Sequence, residues 1–472
     1  VRGRVIARYV GEFGLALGLT TLVPTVGAVV FGELEFVLPY GLLAALLYGV
    51  GILARRIPVP RLLQPNEAYV ITVAAFFLTA LVMTFPLTLE GLPLIDAVFE
   101  AISGVTTTGL STLESLEARS RTFLLARAWL QWIGGLGIVV LSLALALESG
   151  LSTRLLGMSR LEPADVVGSM RLHARRVLLV YLTLTAFGIV LLLALGATGF
   201  DAVVHTFAGI STGGFAPRDD SLAPLARSLQ VGILGLSLLG AFALPLYLQL
   251  SRGHWRRLRE DREAQALLVC IALCALLLAG TRWAGTSPEP GLPEVGLLAV
   301  SAQTTTGFST LDVETLSDSG KLVVILSMIT GGSHGSTAGG MKLIRLLILM
   351  RLIQWLIAKT QLPPHAVSSP GLAGGALQDR DLLRAAAVVV LFLGSICVSW
   401  LIFLLYGYPP LDALFEVSSA TGTVGLSVGI ARPELEPFLK GVLCTNMFLG
   451  RLEVFAVLVA LSPRTWIGRR GV

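Results

Sequence analysis

The sequence predicts an all-α polytopic membrane protein. About ten transmembrane helices are expected, forming four pseudo-fourfold M1–pore helix–M2 repeats around a central pore, with two extra N-terminal helices ahead of them. Three observations lead there. Only 14% of residues are charged and 54% are hydrophobic, with a mean hydropathy of +0.80; a soluble chain would carry about a quarter charged. Apolar runs recur from end to end of the 472 residues. One short pattern, rich in Thr and Gly, occurs four times between such runs.

A helix needs roughly 20 apolar residues to cross a bilayer. Suitable runs lie at 13–31, 36–54, 68–89, 122–147, 174–197, 224–250, 264–284, 319–358, 379–407 and 436–461. The run 319–358 is too long for one span and is interrupted by glycines. The first run follows Arg2, Arg4 and Arg8, as a signal peptide would. A second apolar run follows almost at once without a convincing small-residue cleavage site, so both are read as membrane helices.

The linkers set the expected orientation. Segments 1–8, 55–61, 148–176, 251–263, 341–384 and 462–472 hold 25 of the 35 Lys and Arg residues. The alternate segments 90–121, 198–227, 285–321 and 406–440 hold 17 of the 30 Asp and Glu residues. The positive-inside rule makes the Arg-rich side cytoplasmic, with both termini on it. The cluster Arg252, Arg256, Arg257, Arg259 and Arg262 fits that signal, and also fits an acidic partner surface or anionic lipid.

Several function classes find no support. Basic residues are not interleaved with aromatics as in nucleic-acid binders, so no nucleic-acid partner is expected. Cys270, Cys274, Cys397 and Cys444 lie in apolar runs without a CxxC or Cys/His ligand set, and read as small buried side chains. The five His residues have no metal-ligand spacing. No Walker loop, HExxH, nucleophile elbow or paired carboxylates occur, so neither nucleotide binding by this chain nor an enzyme is expected.

The repeated pattern begins at Asp96, Asp201, Glu294 and Asp412. Each acidic residue opens a short helical stretch of about ten residues with an apolar pattern, then a tetrad of small residues, then Leu or Phe. The tetrads are Thr106, Thr107, Thr108, Gly109; Ser211, Thr212, Gly213, Gly214; Thr304, Thr305, Thr306, Gly307; and Gly422, Thr423, Val424, Gly425. Ten residues of helix reach only about 15 Å, half a membrane, so each segment must re-enter and return. Such backbone is tolerated only inside protein or beside water. The expected division is a two-helix extension at 1–60 and units at 61–150, 151–262, 263–362 and 363–472, the third with a broken M2 helix.

Four loops in one orientation imply carbonyl rings that can replace a cation's hydration shell. Glycine supplies the φ > 0 that turns a carbonyl inward. The acidic openers suit pore-helix N-termini, which leaves the negative helix ends facing the cation. The tetrads are therefore the candidate selectivity filter and cation site.

Two features suggest a gate. Gly331, Gly332, Ser333, Gly335, Ser336, Thr337, Gly339 and Gly340 interrupt an apolar span, where each glycine costs a helix about 1 kcal/mol relative to Ala. A tight helix-packing face is the alternative reading. Arg451 falls near the middle of 436–461, where charge is expensive and points to function. A structural ion pair with Glu453 or another helix is its alternative. Only Glu453 and His334 are read as deep acid or imidazole groups.

At the four tetrads the sequence resembles the Trk/Ktr/HKT superfamily of K⁺ transporters. Its two extra N-terminal helices make it most similar to the TrkH-type branch. The likeness covers nearly the whole chain. It implies a K⁺ filter with one glycine per unit, a gate formed by the loop 330–342, and a pore-facing Arg at 451 within Gly450-Arg451-Leu452-Glu453. His334 is bulkier than the small residue expected in such a loop. The resemblance further implies K⁺ uptake across the bacterial cytoplasmic (inner) membrane, a homodimer with one pore per subunit, and a cytosolic nucleotide-binding regulatory subunit of TrkA type. K⁺ in the filter is the only bound species expected, with no organic cofactor. A secondary active symporter coupled to H⁺ or Na⁺ is the alternative function, and a membrane-embedded enzyme a remote one.

Overall fold

The structure is a computed structural model that describes residues 1–60, 64–146, 166–284, 291–361, 363, 369–372 and 375–466. The expected unit boundaries at 150 and 362, and Arg154 and Arg160 of the basic linkers, lie outside the described residues. Two helical segments, α1 (Gly3–Thr20) and α2 (Leu22–Phe31), form one apolar stretch turned at Thr21. It packs on α3 (Val37–Arg55). Gly11 and Gly51 meet Ala54 and Leu15 so closely that an added Cβ would collide with them. Small residues allow such close approach where no hydrophobic effect drives helices together.

Four units follow. The first has α4 (Pro65–Thr88), α5 (Leu94–Val105) and α6 (Arg121–Ala146). The second has α7 (Val166–Ala194), α8 (Gly199–Ile210), α9 (Arg227–Ala241) and α10 (Leu244–Leu250). After the short α11 (Arg256–Glu260), the third has α12 (Arg262–Ala284), α13 (Leu292–Gln303), α14 (Asp318–Thr330) and α15 (Leu343–Lys359). A small antiparallel hairpin pairs Gly371–Leu372 with Gly375–Ala376 ahead of the fourth. That unit has α16 (Asp379–Leu405), α17 (Pro410–Gly422), α18 (Pro437–Arg451), α19 (Val454–Leu461) and α20 (Pro463–Trp466).

Helices α5, α8, α13 and α17 have 12 or 13 residues. At 1.5 Å per residue they reach about 18–20 Å, too short to span. Pro293 and Pro410 lie in the first turn of two of them, where a missing N–H is harmless. Among the described residues seven helices are long and apolar enough to cross a membrane, and up to nine if two bent pairs each count as one. The third unit's inner segment, split between α14 and α15, corresponds to the eighth apolar run, 319–358.

The two bent pairs correct the sequence reading, which took 224–250 and 436–461 as continuous. Helices α9 and α10 meet at 91°, and α18 and α19 at 105°. Pro245 sits in the first turn of α10, and its ring cannot follow a helical carbonyl four residues back. The Leu244 N–H turns instead to the Gly335 carbonyl at 3.0 Å. In the other break Glu453 takes φ = 59°, which ends the helix. Cys397 also departs from expectation: it is exposed, whereas Cys274 and Cys444 are buried.

The acidic openers do more than favour helix N-termini. Asp96 pairs with Lys440 of α18 at 2.6 Å, and Asp412 pairs with Lys321 of α14 at 2.8 Å. Glu294 pairs with Arg227 of α9. Each of these ties one unit's short helix to another unit's inner helix. Asp201 instead pairs with Arg218 of its own unit at 3.4 Å. Gln131 of α6 helps tie the first two units, donating to the Gly213 carbonyl and accepting from the Phe215 N–H. The N-terminal extension joins through Glu33, which accepts the Arg121 and Thr122 N–H groups at 2.9 and 2.8 Å and so caps α6.

Candidate ion pathway

Each short helix ends in a tetrad with one backbone path. Thr107, Thr212, Thr305 and Thr423 have φ between 50° and 54°. Two residues on, Gly109, Gly214, Gly307 and Gly425 have φ of 85°, 77°, 82° and 95°. A β-branched residue in the left-handed region costs of order 1–3 kcal/mol, so four of them mark a backbone held against its preference. The sequence reading assigned φ > 0 to glycine alone.

The glycines meet a second demand. A Cβ on Gly109 would fall well under 3.0 Å from the Gly213 carbonyl oxygen. Gly214 stands the same way to Thr306 O, Gly307 to Val424 O, and Gly425 to Thr108 O. The order runs first to second, second to third, third to fourth, and fourth back to first, so the ring closes. Each carbonyl belongs to the residue just before the next unit's glycine. On one side all four glycines border a cavity of about 630 Å³. Its lining includes Glu114, Asp219, Asp220 and Asp312 together with Arg127 and Arg218.

On the other side the glycine-rich loop 331–342 lies against the tetrads. Gly339 N–H donates to Thr305 Oγ1 at 2.6 Å, and Gly340 N–H to the Gly422 carbonyl at 2.9 Å. Thr337 Oγ1 donates to the Ile210 carbonyl at the end of α8, at 2.8 Å. The loop thus touches the second, third and fourth units. Ser333 N–H donates to Ala241 O at 3.2 Å, and Ser336 Oγ donates to Ser333 O at 2.6 Å, holding the loop's own turn. Gly331 O accepts from Gln303 Nε2 at 2.6 Å, and Gly332 O accepts from Leu343 N–H at 3.1 Å.

Arg451, 3% exposed, donates from Nη1 to the Thr337 carbonyl at 2.8 Å. Its Nε has no partner among the described residues. The Nη1 bond ties the guanidinium to a carbonyl of the loop. The alternative pairing with Glu453 is not formed: Glu453 pairs with Arg345 of α15 at 2.5 Å. His334 fits through its backbone, whose N–H donates to Glu263 Oε2 at 3.0 Å.

A profile of the TrkH family of cation transport proteins matches residues 59–282 and 295–466. The chain belongs to the TrkH family. It is 29% identical to an uncharacterized cation transporter of Methanocaldococcus jannaschii, covering 94% of this chain and 92% of that one. It is 27% identical to the Trk system potassium uptake protein TrkH of Halomonas elongata, over 98% of this chain and 99% of that one. It is 28% identical to TrkH of Escherichia coli K12, over 86% of each. The crystal structure of the potassium transporter TrkH from Vibrio parahaemolyticus superposes with a TM-score of 0.85 at 26% identity, over 99% of this chain and 100% of that one. The family is one of transporters rather than enzymes, and this member is an integral membrane protein.

Sequence reading missed much of what a TrkH-family fold places around the tetrads. It named two deep acid or imidazole groups, whereas Asp96, Glu100, His205 and Glu416 are all buried. Spacing from the tetrads would have found Glu100, His205 and Glu416, which share one position four residues after the opener. A second glycine set was also missed. A Cβ on Gly134, Gly240 or Gly450 would collide with the Val105, Ile210 or Thr421 carbonyl, near the end of its own unit's short helix. These glycines follow the last tetrad glycine by a nearly constant interval, which was visible in the sequence. Gly450→Ala should therefore destabilise the protein by about 2 kcal/mol or more through overpacking. Gly441→Ala in the same helix meets nothing within 4 Å and should leave stability unchanged or slightly raised. Thermal unfolding of the two variants in detergent, side by side, checks the contrast.

Proposed function

We propose that the chain carries K⁺ into the cell through a selective pore lined by the four tetrads and gated by the intramembrane loop. The closed ring of glycines against carbonyls is the observation that supports it most. Left-handed residues at alternate tetrad positions can turn carbonyls to one side, and oxygens so arranged can replace the water around a dehydrated cation. Relatives named as potassium uptake proteins favour K⁺ as that cation. The units would be 61–150, 151–262, 263–362 and 363–472, behind the extension 1–60. Replacing Gly109 with Ser adds a Cβ that disfavours φ > 0 and pushes on the Gly213 carbonyl. The K⁺/Na⁺ permeability ratio in liposomes should then fall by roughly an order of magnitude. An unchanged ratio would mean that this ring does not select the ion.

In this reading the loop and Arg451 close the pathway on the inner side. A buried guanidinium repels a cation leaving the filter, and its bond to Thr337 O holds the loop in place. The Trk-system names of the relatives support a membrane subunit that works with a cytosolic nucleotide-binding partner of TrkA type. Homodimerisation and cytoplasmic termini in a bacterial inner membrane complete the proposal. Arg451→Ala should raise K⁺ flux severalfold, as should deletion within 331–337. The two together should give less than the product of their effects, because both act on one closed state. Liposome flux at matched protein density measures this, and reduced flux in a folded Arg451→Ala protein would make Arg451 a structural residue.

A further inference from the structure

Two of the four units carry a carboxylate at the same place behind the filter. Glu100 and Glu416 each follow the acidic opener by four residues, on the buried face of their short helix, and both are 0% exposed. The second and third units have His205 and Leu298 there. Both carboxylates reach past the filter glycine to the strand that leaves it. Glu100 Oε1 accepts from Ser111 Oγ at 2.5 Å and Thr112 N–H at 3.3 Å, while its Oε2 accepts from Arg127 Nε at 2.8 Å. Glu416 Oε1 accepts from Ser427 Oγ at 2.8 Å and Ala431 N–H at 3.0 Å. Its Oε2 accepts from Ser427 Oγ at 3.1 Å and Val428 N–H at 3.2 Å.

The two sites differ in one respect. Glu100 is paired with the buried Arg127, whereas Glu416 has no ion pair among the described residues. Its donors are one hydroxyl and two backbone N–H groups. A buried carboxylate without a cation is costly unless its lone pairs are met by hydrogen bonds. The donors here all come from 427–431, which binds that strand to α17 two residues beyond Gly425.

We propose that Glu416 is a positioning residue for ion selection, fixing the strand after Gly425 and through it the place of the filter's outer carbonyls. The proposal rests on the reading of the tetrads as the filter. It follows from adjacency in the ring: Gly425 lies against the Thr108 carbonyl, so a shift of the 425–428 strand moves an oxygen of the first unit as well as its own. Both braced strands, of the first and fourth units, meet at that junction.

Glu416→Gln tests it. Each carboxylate oxygen accepts one backbone N–H, so an amide must set its NH₂ against Val428 N–H or Ala431 N–H. With flux retained, the K⁺/Na⁺ permeability ratio in liposomes should fall about fivefold, the worth of roughly one hydrogen bond. Ser427→Ala removes only the hydroxyl donor and should lower the ratio less, and it decides the matter if Glu416→Gln does not insert. A wild-type ratio in a normally folded Glu416→Gln protein, or in Ser427→Ala when that variant decides, overturns the proposal. Gly425→Ala separates the two layers. If it changes the ratio and Glu416→Gln does not, the filter reading stands and the brace falls; if neither changes it, the filter reading falls too.

Discussion

Four glycines and four carbonyls in mutual contact set the terms for the rest of this molecule. The space between Gly109 and Gly213 O, and its three counterparts, is too small for a side chain. Backbone packed so tightly in the middle of a membrane protein must have every neighbour held in place, because lipid offers no hydrogen bonds to a displaced peptide. The surrounding elements serve that requirement. Gln131 pins the second tetrad from the first unit, Ser419 Oγ accepts the Gly425 N–H at 3.0 Å, and the acid–base pairs hold the short helices to neighbouring inner helices. Asp96 and Lys440 are each under a tenth exposed, so loss of either would strand a buried charge, at about 3–5 kcal/mol.

The inner helices pay for the same packing differently. Three of the four break at or just after the level where they meet the short helices: after Ala241, after Thr330 and after Arg451. Gly240 and Gly450, beside two of those breaks, admit the carbonyl ends of their short helices, and freed backbone groups are met across units. Leu244 N–H finds Gly335 O, and Thr337 N–H finds Gly240 O at 3.1 Å. The broken segments of the second, third and fourth units therefore form one hydrogen-bonded layer beneath the tetrads. Arg451 joins that layer, and the Arg345–Glu453 pair links the third and fourth breaks at its edge.

Much of this was legible in the sequence, because a repeat with a fixed glycine leaves little freedom. The four tetrads, the half-length helices, the interruption at 331–340 and the odd depth of Arg451 all follow from pattern and length. The breaks at 242 and 452 did not show. Pro245 is a visible signal, but proline is tolerated in membrane helices often enough that it did not end the run. Glu453 carries no local signal for φ > 0, which tertiary contacts impose. The partners of buried charges were hidden for a different reason. Asp96 and Lys440 are 344 residues apart, and only closure of the ring brings them together. Glu416 escaped notice because its partners are mainly backbone groups, which every sequence contains.

The central claim is that the ring of tetrads chooses the ion. Its most direct test is flux through the purified full-length protein in liposomes, compared for K⁺, Rb⁺, Na⁺ and Li⁺ under equal gradients. A ring of carbonyls fitted to K⁺ predicts that K⁺ and Rb⁺ pass and that Na⁺ and Li⁺ pass far more slowly. Equal flux of all four ions, or flux that follows hydrated mobility alone, would contradict the account.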